Sequence, residues 1–164
     1  MTGGNDENVK PQPTAAPAAH TDAWSLRPYF AEFSGTAQVG SPANATEADW
    51  EHGRVVDALQ TELVKLGHAP RKNQDIDLCL VDSTGKPSVL FEVKTESARY
   101  PIYTAIGQLQ FHSRDAGPKR VIVLPDVPDA TAISALERLG IRLITYSRTG
   151  RIEIDLNDLV QTLK

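Results

Sequence analysis

Four short apolar runs constrain this chain more than anything else in it: DIDLCLVD (75–82), SVLFEVKT (88–95), RVIVLP (120–125) and IRLITY (141–146). Each is too short to be a buried helix, and together they are nearly continuously apolar. Strands of that kind need cover on both faces. STGKP between the first two is turn chemistry, so they are expected to form a hairpin. A helix is expected from about Ile102 to Arg114, with a stripe of Ile102, Tyr103, Ile106 and Leu109, after a loop through Arg99, Tyr100 and Pro101 and before the stop at Gly117 and Pro118. ATAISALERLG (130–140) reads as a second helix. Strand, helix, strand with apolar strands implies parallel right-handed crossovers. A further helix precedes them from about Glu47 to Leu66. Thr46 is its expected N-cap, Asp49 an acid in the first turn, and Gly67 its end, with Val55, Val56, Leu59, Leu63 and Leu66 as the core stripe. RIEID (151–155) is a weak strand and LNDLVQTLK a closing helix. The expectation is an α/β fold with a mixed sheet flanked by helices, in the order α-β-β-α-β-α-β with a final helix.

With 164 residues, 40% of them hydrophobic, the chain suits one domain with a real core. That domain is expected to span 46–164. Residues 1–22 are Pro-, Ala- and Gly-rich with little to bury, which predicts a disordered leader. Residues 23–45, with Trp24, Leu26, Tyr29, Phe30 and Phe33, read as an aromatic arm or loop packing onto the domain. A net charge of −4 and no run of Lys or Arg argue against a protein that passively coats nucleic acid, and less against an enzyme whose catalytic acids lower its charge. The one cysteine, Cys79, lies in an apolar run and reads as a core hydrophobe in a reducing compartment. No stretch approaches the roughly 20 apolar residues of a membrane helix and no signal peptide is evident, so a cytoplasmic protein is expected.

The chemistry concentrates in LFEVKT (90–95). Residues i and i+2 of a strand share a face, so Glu92 and Lys94 point one way and Phe91 and Val93 the other. If Asp77 on the neighbouring strand projects to the same side, two carboxylates and an ammonium converge. Carboxylates suit a hard divalent ion, Mg²⁺ or alternatively Mn²⁺, and the backbone carbonyl of Val93 is a further oxygen donor. Such an ion acidifies a bound water and neutralises charge on a phosphoryl group, while Lys94 holds or helps deprotonate the attacking water. The expected reaction is phosphodiester hydrolysis.

Asp77 in DIDLCLVD followed by Glu92-Val93-Lys94 after a turn resembles the PD-(D/E)xK nuclease superfamily, over roughly residues 46–146. The resemblance implies a restriction-endonuclease-like three-layer core and Mg²⁺-dependent cleavage of nucleic acid, DNA more than RNA, by an endonuclease or exonuclease. The setting it implies is bacterial defence or repair, acting as a homodimer or with a partner protein. Many members carry a Gln in the next helix, some as Gln-x-x-x-Tyr; here Gln108 is followed by His112. Related nucleases often place a Glu on the first helix three residues before an apolar position, where this chain has His52, with Glu51 adjacent. Both stay candidates for the metal site. Asp75 shares a face with Asp77 and competes with it, Asp77 being preferred as the residue inside the strand. Thr95 and Arg99 are candidate nucleic-acid contacts, with Arg71, Lys72, Lys119 and Arg120 as scattered basic residues, and Asp82 is a turn residue. The rival expectation is a non-catalytic nucleic-acid or protein binding module on the same fold, in which Glu92 and Lys94 are only an ion pair.

Overall fold

The computed structural model describes residues 26–29, 47–113 and 117–163. The expected leader and most of the aromatic arm, with Trp24, Phe30 and Phe33, lie outside the described residues, as do the cap position Thr46 and the helix end at Arg114. Along the chain run β1 (Arg27–Pro28), α1 (Glu47–Lys65), β2 (Arg71–Lys72), β3 (Leu78–Val81), β4 (Pro87–Val93), α2 (Arg99–His112), β5 (Lys119–Leu124), α3 (Ala130–Arg138), β6 (Ile141–Ser147), β7 (Glu153–Ile154), a 3₁₀ turn at Asn157–Leu159 and α4 (Val160–Leu163). The described strands form one mixed α/β sheet in the order β1-β2-β3-β4-β5-β6-β7. β3 and β4 pair antiparallel through the hairpin, while β4–β5 and β5–β6 are parallel and connected by α2 and α3.

Both faces of the sheet are covered. Leu78, Leu80, Val89, Phe91, Val93, Val121 and Val123 pack with Val55, Val56, Leu59 and Leu63 of α1. Cys79, Leu90, Ile122 and Leu124 point the other way, against Ile102, Ala105 and Leu109 of α2 and Leu136 of α3. Each fully buried Leu, Val or Phe contributes about 1.5–3 kcal/mol relative to an exposed one, and these strands spend that burial on both sides. Cys79 is fully buried, and burial pushes its thiol up to about 12. The end of α1 follows from Gly67: at φ +85° it lets its own N–H reach Val64 O and the His68 N–H reach Leu63 O, which satisfies the last carbonyls of the helix.

Four expectations are corrected. β3 begins at Leu78, so Asp77 precedes the strand rather than lying inside it. α2 begins at Arg99, so Arg99, Tyr100 and Pro101 are its first turn and not a loop; a proline fits there because a first-turn N–H has no helical partner. Tyr103 is 62% exposed, because the face α2 buries is Ile102, Ala105 and Leu109, and Tyr103 is turned about 100° away from Ile102. Two strands went unanticipated: β1 and β2 are two residues each and made of Arg, Pro and Lys, joined by register to the edge of β3. Of the arm, Leu26 packs on the α2 side and Tyr29 on the α1 side, where Tyr29 donates a hydrogen bond to Asp57.

Candidate active site

The end of β4 reads as its sequence suggests. Phe91 and Val93 are buried toward α1, and Glu92 and Lys94 alternate onto the opposite face, toward α2. Glu92 is 4% exposed, a buried charged residue in an apolar strand. Lys94 Nζ donates to Glu92 Oε1 at 2.6 Å and to Gln108 Oε1 at 2.8 Å, so three side chains from β4 and α2 form one hydrogen-bonded chain. Lys94 itself is held in the sheet, because its N–H donates to Val123 O at 3.0 Å and extends the parallel ladder one step past β4.

Asp77 enters from the other side of β4. The Lys94 N–H points to β5, so by alternation the Val93 N–H and C=O point toward β3. The chain has left the ladder there, in a bend where Asn73 Oδ1 accepts from the Asp75 N–H and Ile76 is buried on the α2 side. The Asp77 carboxylate replaces the missing backbone carbonyl: its Oδ2 accepts from the Val93 N–H at 2.8 Å. The same oxygen accepts from His52 Nε2 of α1 at 3.2 Å. Asp77 thus joins α1 to the end of β4, and Oδ1 has no partner among the described residues.

Electrostatics mark Glu92 as the unusual group. Burial, and secondly the charge of Asp77, push its carboxyl up from 4.5 to about 7, against the opposing pull of Lys94 and His52. The Asp77 hydrogen bond holds the His52 imidazole more basic than an ordinary histidine, although burial opposes it. The charges of Asp77, Lys94 and His52 thus all act on the buried Glu92 carboxyl near the end of β4.

The first-helix candidates separate. His52 reaches Asp77, while Glu51 turns to the end of β6, where Arg148 Nε donates to Glu51 Oε1 at 3.1 Å and the Tyr146 hydroxyl donates to the same oxygen at 3.4 Å. Asp75 is exposed and its carboxylate makes no hydrogen bond or ion pair among the described residues, whereas Asp77 accepts from β4. His112 stands edge-on to Phe111, ring centroids 5.4 Å apart, outside the Lys94–Gln108 chain. Thr95 is half-buried and its carbonyl accepts from Arg148; Arg99 is paired with Asp129 at 3.4 Å between the first turns of α2 and α3. Asp82 is a turn residue as expected, accepting from the Thr84 N–H, the Thr84 hydroxyl and the Lys86 N–H. Sequence reasoning missed Tyr146 and Arg148. No local signal marked them: Arg148 meets Glu51 and Thr95, both remote in sequence.

Among the described residues no group of three or more His, Cys, Asp and Glu side chains is arranged to hold a metal ion. An ion such as Mg²⁺, which keeps several waters, needs only one or two protein carboxylates, and Asp77 and Glu92 are the two acids at the end of β4. A cation beside Glu92 would favour the charged form of a carboxyl that burial and the charge of Asp77 push up. No helix of the described residues is long and apolar enough to cross a membrane. No protein-family model, no curated protein and no solved structure matches this chain.

Proposed function

We propose that this chain is a metal-dependent nuclease with a restriction-endonuclease-like core, hydrolysing phosphodiester bonds of nucleic acid and DNA in the first place. The observation that carries the proposal is the meeting of Asp77, Glu92, Lys94 and Gln108 at the end of one buried strand, with His52 against Asp77. A strand that served packing alone gains nothing from a buried Glu–Lys pair over apolar residues of the same volume. Asp77, Glu92 and the Val93 carbonyl are the residues to hold Mg²⁺ or Mn²⁺, with His52 as an additional donor to the cluster. Bound there, the ion supplies an acidified water and positive charge for the phosphoryl oxygens.

The protein's own groups have separable tasks. Glu92 and Gln108 fix the Lys94 ammonium between them, so that its remaining proton is free to hold an attacking water or a phosphoryl oxygen. The Val93 N–H and His52 fix the rotamer of Asp77 and leave Oδ1 as its open oxygen. Burial of Glu92 keeps the field between these charges strong. The test is incubation of the purified chain with linear DNA, supercoiled DNA and RNA in Mg²⁺, Mn²⁺ or EDTA, beside Asp77→Ala and Lys94→Ala. Metal-dependent cleavage lost in both variants is expected. Metal-independent binding without cleavage, indifferent to both substitutions, would establish the second reading, a nucleic-acid or protein binding module, which the closed Lys94–Glu92 contact favours.

A further inference from the structure

A second charged cluster lies beside the first and has no part in the chemistry proposed above. β4, β5 and β6 are parallel, so the ends of β4 and β6 lie at the same edge of the sheet. Arg148 follows β6 there and is held by three different elements. Its Nε donates to Glu51 Oε1 of α1 at 3.1 Å, a terminal nitrogen donates to the carbonyl of Thr95 just after Lys94, and its guanidinium lies over the Tyr146 ring at 5.8 Å. The Tyr146 hydroxyl meets both Glu51 Oε1 at 3.4 Å and the Lys94 carbonyl at 3.5 Å. Tyr146 is 3% exposed and fixed, whereas the Arg148 side chain is 47% exposed.

We infer that Arg148 is a phosphate-contacting residue of the substrate site, and that the Glu51 carboxylate holds its place in the free protein. The inference rests on the nuclease proposal and extends it to binding. A guanidinium forks onto phosphate and carboxylate oxygens with the same geometry, so an arginine poised on a carboxylate is also poised for a phosphate. Tyr146 below and the Thr95 carbonyl beside it keep the guanidinium at the rim when Glu51 lets go. The exposed edge faces solvent, where a nucleic-acid backbone passing Lys94 would reach it.

The experiment measures fluorescence anisotropy of a short labelled DNA duplex in EDTA across a salt series, for the wild-type chain, Arg148→Gln, Glu51→Gln and the double variant, with thermal midpoints alongside. Arg148→Gln is expected to weaken binding by about tenfold and to lower the slope of log affinity against log salt by about one, the mark of one lost phosphate contact. Glu51→Gln, which breaks the same ion pair but keeps the cation, is expected to bind as tightly as wild type or more tightly with the slope unchanged. The double variant leaves no carboxylate unpaired, so it separates binding from folding; it is expected to match Arg148→Gln. Equal losses in Arg148→Gln and Glu51→Gln, or no change in the slope, would overturn the inference. A wild-type chain that neither binds nor cuts nucleic acid removes the nuclease proposal and this one with it. A wild type that does both, with Arg148→Gln indistinguishable from it, removes this one alone.

Discussion

Two aspartates flank the same short strand, Asp77 before β3 and Asp82 after it, and they live in different worlds. Asp82 is satisfied within its own turn, by Thr84 and Lys86, and those hydrogen bonds hold its carboxyl below the usual carboxylate range. Asp77 is satisfied by groups remote in sequence, the His52 imidazole of α1 and the Val93 N–H of β4, and its charge falls on the buried Glu92. An acid that answers its neighbours in the chain is building a turn. One that collects partners from several elements, with an oxygen left over, is where chemistry is to be sought.

The largest effect that tests this contrast is on cleavage. Asp77→Ala and Lys94→Ala are each expected to reduce metal-dependent cleavage by on the order of 100-fold or more, the scale of losing a group aimed at the transition state. Asp82→Ala is expected to cleave at the wild-type rate. Gel-based rates for the three variants decide it, and comparable losses at the two aspartates would erase the distinction.

Next in size is stability. Lys94→Met strips the buried Glu92 of its cation and is expected to cost about 3–5 kcal/mol in denaturant unfolding. The Glu92→Leu/Lys94→Met double variant removes both charges and is expected to recover most of that loss, or to exceed the wild type, while cleaving nothing. A double variant as unstable as the single one would mean that the pair holds the fold together, against its assignment to function.

The pH dependence is smaller. The Glu92 carboxyl is raised in the folded chain, so the folded state binds its proton more tightly than the unfolded one. Its contribution is fully present below 4.5 and is lost as pH climbs through about 7. The thermal midpoint of the wild type minus that of Glu92→Gln is therefore expected to fall across that window in EDTA. Mg²⁺ is expected to flatten the fall, because a cation beside Glu92 favours its charged form. A difference that rises with pH would reverse the assigned cause. The smallest effect expected is a slight lowering of the midpoint in Asp82→Ala.

How much of this was legible before folding depends on the range of each interaction. Glu92 and Lys94 share a face, and Phe91 and Val93 the other, by the period of two along a single strand; Asp82 declares its turn within five residues. Gln108 was singled out only by the resemblance, which implies a Gln in the helix after the Lys94 strand; the helix alone does not distinguish it from Gln110. Asp77 was preferred to Asp75 for lying inside the strand, yet it precedes it; what separates these two, and Glu51 from His52, is which element each meets, and that was not legible. Nor was Arg148, whose partners lie on α1 and beyond β4.

The sequence by itself determined the apolar strands, the hairpin, the two-sided burial and the shared direction of the two charges at the end of β4, because each is set by local spacing and by the need to remove short apolar runs from water. Only the tertiary structure decided that β3 starts one residue after Asp77, that His52 and not Glu51 meets it, that Tyr103 faces outward and that Arg148 stands at the rim. Those depend on how far a strand stays paired and how α1 and α2 are rotated against the sheet, which the summed packing of the core fixes and no single stretch of sequence encodes.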